Sequence, residues 1–505
     1  MTHSLLPLFI AVPLLATGVL VVVRNRWLQR ALLIAVPALS ALGGAALLAF
    51  HQSTPVLAHS IGDFLPGVAI VFVTDSLSAL MLLVLGFITT IASSFLLATG
   101  EADYRFVPPL ILMLLTGVNG ALITGDLFNI FVFVEVMLLP SYALVAVTGT
   151  WRRLGVGRMF VLVNLLASTL LLVGVGLLYG STSTVSLALL ADVARSNPQA
   201  SLAGGIVVFA MLVKAGVVPV HGWLPRSYPA TSAGIMALFS GIHTKVGLYV
   251  VFRVYSVMYD LDTGWMPVLA AVVVITIIVG SLSTFGERRI RGALAFQMVA
   301  GVGQILIGVL VFTQASLAAG LFYLVHHIIT MGGLVLAAGA IEYTYGSGRF
   351  DRLHGLMRRE PLLATLMALG FFSLVGLPPT SGLWGKVGLL AAAADAPVWL
   401  AILLIASVAF ASIVSLMALQ RVWVQLFWGR PMREYLPDDP TTARGSLTPL
   451  ADETKTTRAT VWQATLLISL SIAMFLGVGY IWPLFNQAAQ GLLDVTDYVK
   501  AVLHR

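Results

Sequence analysis

The sequence predicts an all-α polytopic membrane protein of about fourteen transmembrane helices, and three observations carry that prediction. Hydrophobic residues make up 59% of the 505 positions and charged residues only 10%, with a mean hydropathy of +0.98, outside the balance of a water-soluble domain. Apolar stretches of about 20 residues recur along the chain, each long enough to cross a hydrocarbon core of roughly 30 Å as a helix. A helix satisfies its own backbone there. The arginines, finally, cluster in alternate connections, the bias that sets orientation in a bilayer.

Taken in order, the expected spans run near 5–23, 31–50, 75–98, 107–124, 127–149, 158–180, 203–220, 233–256, 266–285, 292–312, 316–341, 362–390, 397–428 and 460–486. The first reads as a retained anchor, because "MTHSLLPL" has no basic leader and Arg24 and Arg26 follow the apolar run. Asp75 opens span 3 and Asp126 opens span 5, where a carboxylate accepts from the free N–H groups of a helix start. Spans 7 and 12 are interrupted at "GVVPVHG" and "GLPPTSGLWGK"; Pro219, Pro378 and Pro379 each remove a helix donor. Two five-helix units, spans 4 to 8 and 9 to 13, fit the pairing of these breaks. Trp27, Trp151, Trp223 and Trp482 near span ends suit an interface belt. Residues 1–486 form one transmembrane domain with a polar loop at 430–458, and the tail at 487–505 reads as a short amphipathic helix.

Connections after spans 1, 5, 9, 11 and 13 hold most of the arginines, among them Arg24, Arg26, Arg30, Arg152, Arg153, Arg158, Arg288, Arg289, Arg291, Arg349, Arg352, Arg430, Arg433 and Arg444. Odd connections are therefore expected to be cytoplasmic and both termini outside. The +7 net charge follows from this topology and does not point to nucleic acid. With no cysteine, disulfides, thiolate-bound clusters and cysteine-ligated haem are excluded. "GLWGKV" is no phosphate-binding loop, having the wrong upstream residue and a terminal valine. No cofactor or resident metal is expected, and haem held by a histidine pair is set aside. A chain that moves anything must then draw on an ion gradient or a partner.

The partition of the basic residues is the informative feature. Five lysines stand against 23 arginines; Lys455 and Lys500 lie in the loop and the tail, and Lys214, Lys245 and Lys386 lie inside apolar spans. An ammonium can give up its proton within a protein and a guanidinium cannot. A charged lysine at the bilayer centre costs about 2.5 to 3.5 kcal/mol on insertion scales. Three of them, with Glu135 inside span 5, suggest a proton path; the plainer alternative is a set of ion pairs that pin helices. Glu135 and Lys214 are the expected pair, since opposite charges about 4 Å apart attract by about 4 kcal/mol at an effective dielectric near 20. His221, His243, His326 and His327 complete the set, imidazole being the group that titrates near neutrality.

Four segments, "TGDLFNIFVFVEVML", "KAGVVPVHGWLP", "SGIHTKVGLY" and "GLPPTSGLWGK", resemble the antiporter-like subunits shared by respiratory complex I and the Mrp multisubunit sodium/proton antiporters. The resemblance runs from span 3 to span 13, and chain length together with the first segment bring it closest to the Mrp branch. It implies two inverted five-helix repeats, each with a broken helix. It places Glu135, Lys214, Lys245 and Lys386 on the family's charged positions in spans 5, 7, 8 and 12. The chain departs from the pattern in span 11, where Met331 stands four residues after His327 in place of the usual lysine, which leaves that stretch to His327, Thr330 and water. Arg226 and Gly301 also replace residues the family usually has, an acid and a histidine.

The function expected is that of a proton-translocating subunit, not an enzyme, of a hetero-oligomeric Mrp-type sodium/proton antiporter in a bacterial cell membrane. Protons and Na+ would be its ions and the bilayer its surroundings. A proton-pumping subunit of complex I and a non-conducting scaffold are the alternatives.

Overall fold

The computed structural model describes residues 3–64, 70–147, 151–191, 193–259, 264–437 and 446–504. Arg444 lies outside them, and so do the side chains of Trp151, Arg152 and Arg153. Every expected span contains helix. In order these are α1 (Leu8–Val22), α2 (Arg26–Phe50), α3 (Ser76–Ala98), α4 (Val107–Ile123), α5 (Leu127–Ala146), α6 (Trp151–Thr182), α7 (Pro198–Ala215) and α8 (Ala233–Met258). There follow α9 (Met266–Ser283), α10 (Ile290–Val311), α11 (Gln314–Tyr345), α12 (Pro361–Val375), α13 (Ser381–Ala393), α14 (Val398–Phe427), α15 (Arg458–Leu476), α16 (Val478–Leu493) and α17 (Thr496–Leu503). Among the described residues eleven helices are long and apolar enough to cross a membrane, and α1, α4 and α12 are shorter apolar helices.

The starts and stops follow local chemistry. Asp75 closes a capping box with Ser78 at α3, Asp126 accepts from Asn129 N at 2.8 Å at α5, and Thr313 closes a box with Ser316 at α11. The two breaks are glycine stops: α7 ends at Gly216 (φ 82°) and α12 at Gly376 (φ 93°), both left-handed. Pro219 falls between α7 and a single helical turn at Trp223–Ser227, and Pro378 and Pro379 fall between α12 and α13. The tail is continuous with α16, which starts after Gly477.

Two features differ from expectation. Small two-stranded ladders join the helices: β1 (Val56–Ser60) with β2 (Val71–Asp75), and β3 (Glu434–Tyr435) with β4 (Thr448–Pro449) within the polar loop. Trp223 is not an interface residue. It is 2% exposed and donates from Nε1 to Val213 O at 3.2 Å, because the broken end of α7 has carbonyls without intrahelical partners.

α8 and α11 run through the middle of the molecule, buried over their whole apolar windows, with α10 nearly so. Around them α6 packs on α7, α9 on α10, α10 on α11, and α11 on α13 and α15. Lys214, Lys245, Lys386, His243, His326 and His327 sit on this central pair or on helices packed against it.

Candidate functional site

In the first half, Lys214 occupies the last turn of α7 and is 4% exposed. Its Nζ donates to Ser168 Oγ at 2.9 Å and to the Asn164 carbonyl at 3.4 Å, both on α6. The helix end suits a cation, because carbonyl dipoles converge there. Glu135 acts electrostatically on Lys214 and on Tyr142 but makes no ion pair with the lysine; its Oε1 is buried without a hydrogen-bond partner. Pro140, one turn on, removes the donor that would reach the Val136 carbonyl. Ser141 donates to Met137 O at 2.7 Å and so accepts from His243 Nε2, also at 2.7 Å. That leaves His243 Nδ1 buried and unpartnered, on a ring stacked 4.5 Å from Phe239. His221 lies in the break beyond Gly216 with Nδ1 likewise unpartnered.

At the centre, Lys245 is fully buried on α8, and of its three donors one has a protein partner, Thr244 Oγ1 at 3.1 Å. His327 on α11 is equally buried, in electrostatic range of Lys245 and of His326, and neither ring nitrogen makes a hydrogen bond to protein. Gly301 on α10 makes room for it: a Cβ there would lie 2.1 Å from His327 Nε2. Met331, fully buried, follows on the same helix.

In the second half, His326 Nδ1 meets Ser381 Oγ at 2.8 Å and Thr330 Oγ1 at 3.3 Å. Thr330 Oγ1 lies 3.0 Å from Ser373 Oγ and 3.4 Å from Ser471 Oγ; Ser471 lies 3.0 Å from Ser373 and 2.8 Å from Ser381. Lys386, 5% exposed on α13, reaches back across the break and donates to Val375 O, in the last turn of α12, at 2.9 Å, and to Ser412 Oγ of α14 at 2.8 Å. The ammonium thus satisfies one of the orphan carbonyls of a broken helix. Among the described residues no ion pair involves a lysine.

The structure therefore holds Lys214 against α6 and His243 against α5 within electrostatic range of each other, and puts Lys245 with His327 and Lys386 with His326 in the same range. Asp126 stays at its cap. Sequence reasoning missed Arg253, which lies inside span 8 and not in a connection. It is 3% exposed, on α8 eight residues beyond Lys245, and pairs with Asp75 at 2.7 Å. Tyr249 lies between them at the same i+4 spacing, the periodic signal that marks one helix face. Also missed were Ser168, Ser412 and Ser471, because a serine in an apolar run usually bonds its own helix, as Ser141 does.

With this geometry in place, the comparisons with known proteins converge. The family described as NADH:quinone oxidoreductase/Mrp antiporter, TM, matches residues 124–412. The D subunit of the Na(+)/H(+) antiporter of Bacillus subtilis (strain 168) is 31% identical over 505 residues, covering 98% of each chain. A chain in the structure of the Mrp complex from Dietzia sp. DQ12-45-1b superposes with a TM-score of 0.93 at 40% identity, covering 100% of each. A chain of respiratory complex I from Thermus thermophilus gives 0.78 at 24% identity over 97% of this chain and 100% of that one, a likeness of fold. The chain belongs to the NADH:quinone oxidoreductase/Mrp antiporter transmembrane family.

Proposed function

We propose that this chain is the proton-conducting subunit of a hetero-oligomeric Mrp-type cation/proton antiporter in a bacterial cell membrane, with Na+ as the exchanged cation. Protons pass along Glu135, Lys214, Lys245, His327, His326 and Lys386, with His221 at the break of span 7 and His243 beside Lys214. One observation carries this reading: three amines are buried at 4%, 0% and 5% exposure, and none is neutralised by an ion pair among the described residues. A purely structural lysine in oil would be held by a carboxylate. These are held by hydroxyls and carbonyls, which accept from an amine whether or not it carries the extra proton. The odd connections lie on the cytoplasmic side in this scheme, and the broken helices of spans 7 and 12 belong to two inverted repeats.

Lys214→Arg tests the scheme against a scaffold. Arginine keeps the charge but cannot cycle a proton. In inside-out vesicles carrying the whole complex, the variant is expected to assemble normally and to lose sodium/proton exchange, roughly a hundredfold or more. Exchange at the wild-type rate would refute the relay.

A further inference from the structure

We propose that the hydroxyls of Thr330, Ser373, Ser381 and Ser471 form the proton connector between His326 and Lys386, so that α15, outside both five-helix units, contributes a relay group. The four come from α11, α12, α13 and α15 and are fully buried. A hydroxyl in an apolar helix ordinarily donates to a carbonyl of its own preceding turn, as Thr89, Thr116 and Thr276 do here. None of these four does so. Every hydrogen bond they make goes to one another or to His326, at 2.8 to 3.4 Å.

Such a set is more than the satisfaction of a helix break. Each hydroxyl is at once one donor and two acceptors, so a chain of them runs in either direction, and each oxygen loses one proton as it gains another. His326 releases its Nδ1 proton to Ser381, Ser381 passes its own to Ser471, and Ser471 passes its own to Ser373. No bond between heavy atoms changes. Ser373 stands two residues before Val375, whose carbonyl holds Lys386 Nζ. A water molecule that accepts the Ser373 proton and gives one of its own to Lys386 in its neutral amine form completes the transfer and leaves the ammonium. His326 Nε2 has no protein partner, so the other side of the ring is free to take up the next proton. The oxygens are spaced for hydrogen bonds to each other.

Glycine brings the set together. A Cβ at Gly382 would lie 1.7 Å from Ser373 O and 3.1 Å from His326 Cε1, so α13 can close on α12 and α11 only without one.

This inference rests on the axis proposed above, and the test separates the two. Sodium/proton exchange against pH is measured in inside-out vesicles carrying the whole complex, with complex content quantified, for Ser471→Ala, Ser471→Thr and Lys214→Arg, in H2O and in D2O. Ser471→Ala is expected to assemble and to slow exchange roughly a hundredfold; Ser471→Thr, which keeps the hydroxyl, is expected to restore most of the rate and the wild-type solvent isotope effect. Wild-type exchange by Ser471→Ala with none by Lys214→Arg overturns the proposal that α15 supplies a relay group, since Thr330 also bridges His326 and Ser373 at 3.3 and 3.0 Å, and leaves the axis standing. Equal slowing by the alanine and threonine variants also overturns it, since packing alone would then explain the loss. Wild-type exchange by Lys214→Arg overturns both. Should Ser471→Ala fail to assemble, Ser373→Ala and Ser373→Thr carry the same comparison with the same outcomes.

Discussion

Gly301 shows how much of this protein turns on single side chains. Its lack of a Cβ lets His327 stand against α10, with the imagined atom only 2.1 Å from Nε2. Gly301→Ala is therefore expected to push the imidazole aside, at about 1 to 3 kcal/mol of overpacking, and to lower exchange by about a hundredfold through misplacement alone. Exchange rate and thermal stability measured on the same preparation decide it: a normal rate would show that the position of His327 is immaterial. The lysines were legible in the sequence because a cation in an apolar run is rare and costly. Their partners were not. The expected Glu135–Lys214 contact is replaced by Ser168 and Asn164 on α6, residues that nothing in their local sequence distinguishes. Which groups meet is set by the rotation of each helix about its axis.

At the scale of elements, two glycine stops make the breaks, Gly216 after α7 and Gly376 between α12 and α13, and the Pro-Gly composition of those stretches announced both. The buried ion pair that ties α3 to α8 went unannounced. Asp75 caps α3 and pairs with Arg253, whose guanidinium lies 5.7 Å from the Tyr249 ring and 5.2 Å from the Tyr498 ring of α17. Asp75→Asn would leave Arg253 buried and uncompensated, so the purified complex should lose about 3 to 5 kcal/mol of stability. Its thermal denaturation midpoint in detergent is expected to fall; an unchanged midpoint would mean that solvent already neutralises the pair. Capping residues were readable because they act within four positions along the chain. Arg253 was not, since its partner is 178 positions away in sequence.

For the whole molecule, the C-terminal helices α16 and α17 tie together the ends of α2, α3 and α8. Ser256 Oγ donates to Leu492 O, Gln487 Nε2 donates to His51 O at 2.6 Å, and Tyr498 covers Arg253. The assembly around it is tested by purification: the tagged chain extracted in mild detergent is expected to bring down cation-transporter subunits, without the absorbance of flavin or iron-sulfur centres. A flavin-bearing complex would move the chain to the complex I side of its family. Composition and hydropathy alone determined that the protein is a helical membrane protein and which amines enter its apolar helices, because transfer of a side chain into oil depends on that side chain. Only the tertiary structure decided that the amines are held by hydroxyls and carbonyls, that α8 carries a paired arginine beyond Lys245, and that four hydroxyls from four helices converge on His326. Those contacts join segments up to 178 residues apart, and their existence depends on how whole helices pack, which local sequence does not encode.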